Sequence, residues 1–259
     1  MLAGALLALF AFPWAGFAAC CLAVVLLGAL EWARLSGFAG WPRAAFVACC
    51  VAGSAAAMPG VMPDGAERWL LAASAASWVL GGAWLLHARR IPGGRLGAGL
   101  TGLAMLVPAC CAVFVLYLRS PLALLGAMGV VWISDSAAYF AGRAFGRRKL
   151  APAISPGKSW EGVAGAALAT MAYGAACSAF FSGLLPAVVR DSGVAWLAAP
   201  LLAAVIAAFG IVGDLVESLA KRVAGVKDSG RLLPGHGGIL DRIDALLPAL
   251  PVAALAYLI

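Results

Sequence analysis

Long apolar runs occupy most of this chain and leave little that could form a water-facing surface. The 259 residues are 64% hydrophobic and 11% charged, whereas a typical soluble domain is about 25% charged. Runs of about 20 residues match the thickness of a bilayer, and lipid requires backbone polar groups to be satisfied within a helix. We therefore predict an all-α, polytopic integral membrane protein with about eight or nine transmembrane helices, the ninth from residues 2–12. The eight main runs are 14–33, 44–62, 69–87, 97–118, 121–141, 160–182, 193–213 and 245–259.

Positive charge is distributed unevenly between the two sides that alternating spans would create. The net charge of +7 fits basic loops and anionic headgroups, and it gives no reason to expect nucleic acid as a partner. An excess of Lys and Arg marks the cytoplasmic side. The two most charged loops fall on that side, so they can build one site facing the cytoplasm. Fifteen of the eighteen Lys and Arg residues lie in the loops of this side, 34–43, 88–96, 142–159 and 214–244.

The segment 213–244 concentrates charge in a chain that otherwise avoids it. On a continuing helix Asp214, Ser218 and Lys221 share one face, and Asp241 and Asp244 are three residues apart at the start of the last run. Carboxylates on two helix ends suit Mg²⁺, which often shares its ligands with substrate phosphates. Interleaved cations suit phosphate oxygens. The pattern favours a metal–polyphosphate site, and the alternative is an interfacial loop of salt bridges.

A second polar cluster lies between residues 132 and 162. Asp135 stands within an apolar run, where an acid costs about 2.5–3.5 kcal/mol on insertion scales. That cost indicates a functional role, with an acid facing Arg143 at the interface as the alternative. Further polar residues gather where the next span begins, namely Ser155, Lys158, Ser159 and Glu161.

His236 lies in the glycine-rich stretch PGHGG that joins the two acidic helix ends. Glycine allows a ligand to approach the backbone closely. We therefore expect His236 to contact substrate, although an isolated histidine can also be a structural hydrogen-bonding residue.

These residues together resemble the phosphatidate cytidylyltransferase (CDP-diacylglycerol synthase) family. The segments SDSAAYFAGRAFG, ISPGKSWEG and EWARLSGF also look like those of the family. The family signature is matched by Ser218, Lys221, Arg222, Lys227, Asp228, Pro234, His236, Gly237, Gly238, Asp241, Arg242 and Asp244.

The resemblance implies transfer of CMP from CTP to phosphatidic acid, giving CDP-diacylglycerol and pyrophosphate for phospholipid biosynthesis. It implies Mg²⁺ held by Asp214 and Asp241, and it allows a second, monovalent cation such as K⁺. It further implies a homodimer in the bacterial inner (cytoplasmic) membrane. The whole chain would be one transmembrane catalytic domain, with N-terminal spans in residues 1–118 and a catalytic half in residues 119–259.

The resemblance also implies roles for the polar residues. A lipid phosphate is already ionised near pH 7, so the reaction needs charge neutralisation and alignment more than a general base. The implied catalytic residues are Asp214, Asp241, Lys221, Arg222, Lys227 and Asp228. The implied substrate-binding residues are Asp135, Ser155, Lys158, Ser159, Glu161, Ser218, His236, Arg242 and Asp244.

Two other functions remain open from the sequence. A CTP-dependent kinase acting on polyprenol or phytol would use an alcohol to attack the γ-phosphate, and it would need a base. A transporter would explain the buried Asp135. However, the charges cluster at one interface, and no inverted repeat with broken helices is evident in the sequence.

Overall fold

The computed structural model describes residues 9–91, 94–230 and 237–259. Within these ranges the chain is almost wholly helical, which confirms the all-α prediction. A π-helical segment, Trp78–Gly82, interrupts the helix at Ala66–Ala88. Residues 9–11 are also helical, and Ser182–Leu184 forms a short 3₁₀ turn. The helices in chain order are α1 (Trp14–Leu35), α2 (Gly40–Ala56), α3 (Ala66–Ala88), α4 (Gly94–Arg119), α5 (Pro121–Phe145), α6 (Trp160–Phe180), α7 (Ala187–Arg190), α8 (Ala195–Val223), α9 (Leu240–Ile243) and α10 (Leu246–Leu258).

In the part of the chain that the structure describes, six helices are long and apolar enough to cross a bilayer, namely α1, α3, α4, α5, α6 and α8. The other two predicted spans form α2, with 17 residues, and α10, with 13. At about 1.5 Å per residue, α10 rises about 20 Å, which is less than the roughly 30 Å hydrocarbon core. Membrane-spanning helices therefore form the body of the protein, with α10 packed against α4 and α8.

Helix α8 continues well past the apolar run that predicts it. The run ends at residue 213, but the helix continues to Val223. Its last three turns therefore carry charged residues, although Leu215, Val216 and Glu217 in these turns are still buried in the bundle. This extension places the acidic and basic side chains of one segment on a rigid helix.

Small residues allow the helices around α6 to approach at backbone distance. A Cβ atom on Gly162 of α6 would lie 2.9 Å from the carbonyl oxygen of Ala138 in α5. A Cβ atom on Gly174 would lie 2.6 Å from the carbonyl oxygen of Ala199 in α8. Close contact through small residues is typical of membrane helices, and here it fixes α6 between α5 and α8.

Gly213 brings α8 against the start of α10. A Cβ atom at this position would lie 2.7 Å from Cδ of Pro248, and it would also collide with the carbonyl oxygen of Asp244. The contact sets Asp214, the next residue of α8, beside Asp244. Two acidic residues that are distant in sequence therefore meet because a glycine separates their backbones.

A two-stranded antiparallel hairpin joins α5 to α6, where the sequence predicts only a loop. Its strands are β1 (Lys149–Ala151) and β2 (Ser155–Ser159). The hydroxyl of Ser159 accepts a 3.2 Å hydrogen bond from the Gly162 N–H and caps α6. The hairpin therefore holds Lys158 at the N-terminal end of α6. The register pairs Lys149 with Ser159 and Ala151 with Ser155.

The close approach at Gly213 predicts that Gly213→Ala destabilises the protein. Overpacking typically costs about 1–3 kcal/mol, so we expect a lower midpoint of thermal unfolding in detergent. Gly81→Ala is the matched control, because Gly81 is also helical and a Cβ atom there meets nothing within 4 Å. Equal loss of stability in the two variants would contradict the packing argument.

Candidate active site

Asp214, Ser218 and Lys221 lie on one face of α8, as their spacing predicts. The Ser218 hydroxyl donates a 3.2 Å hydrogen bond to Oδ1 of Asp214. Lys221 forms ion pairs with Glu217 on its own helix and with Asp241, whose Oδ1 is 2.7 Å from Nζ. Glu217 is fully buried, and a buried carboxylate is costly without a cation. Lys221 therefore neutralises two acids and connects α8 to α9.

Lys158 connects the hairpin to α8. Its Nζ lies 2.6 Å from Oδ2 of Asp214, and both side chains are partly accessible. A second link comes from Arg222, whose Nε donates a 3.3 Å hydrogen bond to the carbonyl oxygen of Ile154. These contacts bring the two charged segments, 142–159 and 214–244, into one site, as the sequence predicts.

Asp241 is the most completely hydrogen-bonded acid of the site. Its Oδ2 accepts hydrogen bonds from the Ser229 N–H at 2.9 Å, the Ser229 hydroxyl at 2.9 Å and the Gly238 N–H at 2.8 Å. Burial by itself would raise the pKa of Asp241, but Lys221 and the backbone donors stabilise the ionised form and lower the pKa to about 2. Asp241 is therefore ionised and held in one position.

Asp244 and Asp135 add two further acids near Asp214. Burial raises the pKa of Asp244 to about 7, and the negative charges of Asp214 and Asp135 act in the same direction. Asp135 is an accessible residue of α5 that lies within electrostatic range of Asp214 and Lys158. Three acids from α5, α8 and the turn before α10 therefore lie within electrostatic range of one another, and Lys158 is paired to one of them.

The carboxylates of Asp214 and Asp241 are oxygen donors of the kind that a hard cation takes. A carboxylate oxygen can accept about two contacts. Among the contacts of the described residues, Oδ1 of Asp241 receives Lys221, and the two oxygens of Asp214 receive Ser218 and Lys158, which leaves acceptor capacity on both carboxylates. In the described residues no three His, Cys, Asp or Glu side chains lie close enough together to hold an ion. Mg²⁺ commonly uses one or two carboxylates and takes its other ligands from water and substrate phosphates, so the residues fit Mg²⁺ bound together with a nucleotide.

A cavity of about 760 Å³ opens at the C-terminal ends of α1 and α8. Two cations of opposite halves of the chain, Arg34 and Lys227, contribute to its wall. Arg34 also donates a hydrogen bond to the carbonyl oxygen of Ser229. The cavity is thus positively lined and adjoins the residues that hold Asp241. The lining residues are Arg34, Leu35, Gly37, Ala224, Val226, Lys227, Asp228 and Gly230.

The remaining predicted residues occupy varied positions. Glu161 accepts the Arg148 N–H with both carboxylate oxygens, at 3.1 and 3.2 Å, so it joins α6 to the start of the hairpin. Ser155 is at the first position of β2, and Arg242 is exposed on α9. His236 lies outside the described residues. Substrate contacts of these residues remain predictions.

Glu31 of α1 is a site residue that the sequence reasoning missed. It is 8% exposed and accepts hydrogen bonds from the Ser229 hydroxyl at 2.8 Å, the Leu240 N–H at 2.8 Å and the Ile239 N–H at 3.0 Å. The signal was available, because Glu31 stands in an apolar run as Asp135 does. The free-energy cost of placing an acid within an apolar span, which indicated a role for Asp135, also applies to Glu31.

Comparison with known proteins identifies the family of the chain. A profile described as "Cytidylyltransferase family" matches residues 1–259. The chain is 42% identical over 239 residues to a phosphatidate cytidylyltransferase of Pseudomonas aeruginosa, covering 90% of this chain and 84% of that protein. Proteins of the same name from Haemophilus influenzae and Brucella suis are 47% and 50% identical over 128 and 129 residues. Those two matches cover about half of this chain and 43% of each relative.

The helical membrane architecture, the clustered acids and lysines, and these relatives define a membrane-embedded nucleotidyltransferase. The chain belongs to the Cytidylyltransferase family, because the family profile matches its whole length.

The low pKa of Asp241 predicts a pH-dependent contribution to stability. A fall from the usual value of 3.8 to about 2 on folding corresponds to about 2 kcal/mol at neutral pH. The contribution is complete above the unfolded pKa and is lost as the pH falls through the folded pKa. Asp241→Asn should therefore unfold at a lower temperature than the wild type at pH 7, with the gap narrowing as the pH falls from 4 towards 2.

The control for this experiment is Asp228→Asn, since Asp228 is exposed nearby. Its unfolding temperature should track that of the wild type across the same pH range. A gap between Asp241→Asn and the wild type that does not change with pH would contradict the assignment.

Proposed function

We propose that this protein transfers the CMP group of CTP to phosphatidic acid, forming CDP-diacylglycerol and pyrophosphate. The observation that carries the proposal is a pair of acid–lysine contacts, Lys158 with Asp214 and Lys221 with Asp241, gathered from the hairpin, α8 and α9. Such a site suits a reaction between two phosphate compounds. The names of the relatives support the choice of CTP and phosphatidic acid.

The reaction joins one anion to another. A phosphate oxygen of phosphatidic acid attacks the α-phosphorus of CTP, a new P–O bond forms, and the bond from the α-phosphorus to the bridging oxygen breaks. The electron pair leaves with pyrophosphate. The lipid phosphate is already ionised at neutral pH, so no proton has to be removed from the nucleophile. The protein must neutralise charge and align the two phosphates.

Lys158 and Lys221 supply the first requirement. Without substrate each lysine neutralises a carboxylate, which keeps the acids and the cations close together in a weakly polar environment. A bound triphosphate offers both lysines further oxygens at the same place. Lys227 and Arg34, at the cavity wall, extend this positive surface towards the water-soluble substrate.

Mg²⁺ is the cofactor that this donor set fits best. Asp214 and Asp241 would hold it, and Asp244 and Asp135 would add negative charge around it. When bound, the ion would neutralise charge on the phosphates and on the leaving pyrophosphate. The proposals of a monovalent cation such as K⁺ and of a homodimer rest only on the family resemblance.

The proposed reaction is tested by purifying the protein and supplying phosphatidic acid, Mg²⁺ and CTP labelled at either the α- or the γ-phosphate. We expect α-label in the lipid fraction and γ-label in pyrophosphate. Asp214→Asn should lower kcat by about 10²–10³-fold, the scale seen when one electrostatic group is removed. Transfer of the γ-label to a lipid alcohol would instead identify a kinase, and the absence of any turnover in detergent would contradict both enzymes.

We also propose that the site faces the cytoplasm from the inner membrane, which the excess of Lys and Arg at this end supports. In a background without native cysteines, Val226→Cys is exposed near the site and Ser192→Cys is exposed before α8. A membrane-impermeant thiol reagent added to intact spheroplasts should label residue 192 and spare residue 226. The reverse pattern would overturn the orientation.

A further inference from the structure

Glu31 lies far from the catalytic segment in sequence but is buried against it in the fold. It is the only acid of α1, and its three hydrogen-bond donors belong to residues 198 to 209 positions further along the chain. Two of these donors are backbone N–H groups at the start of α9, the short helix that carries Asp241. Glu31 therefore accepts the hydrogen bonds that would otherwise be missing at a buried helix start.

The Ser229 hydroxyl joins Glu31 to Asp241. Its oxygen lies 2.8 Å from Oε2 of Glu31 and 2.9 Å from Oδ2 of Asp241. A hydroxyl has one hydrogen, so the two carboxylates share a single donor. A change in the position or charge of Glu31 therefore alters the hydrogen bonding of Asp241 directly.

Two glycines make room for this arrangement. A Cβ atom on Gly230 would collide with Glu31, and one on Gly238 would collide with both Glu31 and the Ser229 hydroxyl. The chain on both sides of the carboxylate is thus fitted to it. Arg34, one turn further along α1, donates to the carbonyl oxygen of Ser229, so α1 holds the same residue by a second contact.

We infer that Glu31 is a positioning residue of the active site, which acts through Ser229 and the first turn of α9 to hold Asp241 in place. The role is distinct from that of Glu67, the other glutamate of the N-terminal half, which lines a separate cavity of about 350 Å³ with Arg119 and Tyr257. The kinetic consequence of this inference rests on the proposed function.

The test compares Glu31→Gln and Ser229→Ala with Glu67→Gln as the control. The Gln side chain keeps the size of Glu31, but one oxygen becomes an amide donor that cannot accept the N–H of Ile239 or Leu240. Loss of a residue that orients a metal or substrate ligand typically costs about 10–100-fold in activity. We expect kcat/KM of Glu31→Gln to fall by this amount and the Mg²⁺ concentration for half-maximal activity to rise, while Glu67→Gln is unchanged.

A double variant separates positioning from simple loss of folded protein. Glu31→Gln combined with Ser229→Ala should lose less activity than the product of the two single losses, because both changes act on Asp241 through one hydroxyl. A smaller folded fraction would lower the total rate without moving the Mg²⁺ dependence. If the double variant instead loses as much activity as the product of the two single losses, and its Mg²⁺ dependence is unchanged, the inference is wrong.

Hydrogen exchange gives a readout that does not depend on the reaction. In Glu31→Gln the amides of Gly238, Ile239 and Leu240 should exchange faster than in the wild type, while the amides of the apolar part of α8 keep their protection. This result would stand even if the proposed substrates were wrong. Unchanged exchange at α9, or equally faster exchange throughout α8, would contradict a positioning role.

Discussion

The ion pairs of Lys221 with Glu217 and Asp241 are the interaction on which the active site depends. Glu217 is fully buried within a bundle of apolar helices, and isolated charge in such a medium is very costly. Lys221 offsets this cost for two acids at once. Since one acid is on α8 and the other on α9, Lys221 both holds these two helices together and assembles the candidate site.

The rest of the site extends this principle of paired charges. The hairpin brings Lys158 to Asp214, and α1 brings Glu31 to the backbone donors beside Asp241. Among the described residues, Asp135 and Asp244 add negative charge near Asp214. The proposed polyphosphate substrate would add more negative charge, which is the physical reason for proposing that a divalent cation and the basic cavity wall bind it together.

Spacing along one helix predicted part of this site. Asp214, Ser218 and Lys221 share a face of α8 because helical periodicity is local. The distribution of Lys and Arg placed the segments 142–159 and 214–244 on the same side of the membrane, and in the structure the two segments contact each other. The hairpin was not predicted, because short strands have weak sequence signals and Ser155–Ser159 contains a proline and a glycine. The apolar run around Glu31 indicated a functional role, but its partners could not be inferred from the sequence because they lie about 200 residues away.

The sequence by itself determined the class of protein, since an apolar chain with so few charges can satisfy its backbone in lipid only as helices. It also predicted which segments carry the chemistry, because charge in an apolar chain is too costly to be incidental. The tertiary structure alone decided the partners: Lys221 with Asp241, Lys158 with Asp214, and Glu31 with the first turn of α9. These contacts depend on how closely helices approach at residues such as Gly213 and Gly238, and that distance is set by packing between segments that no local pattern connects.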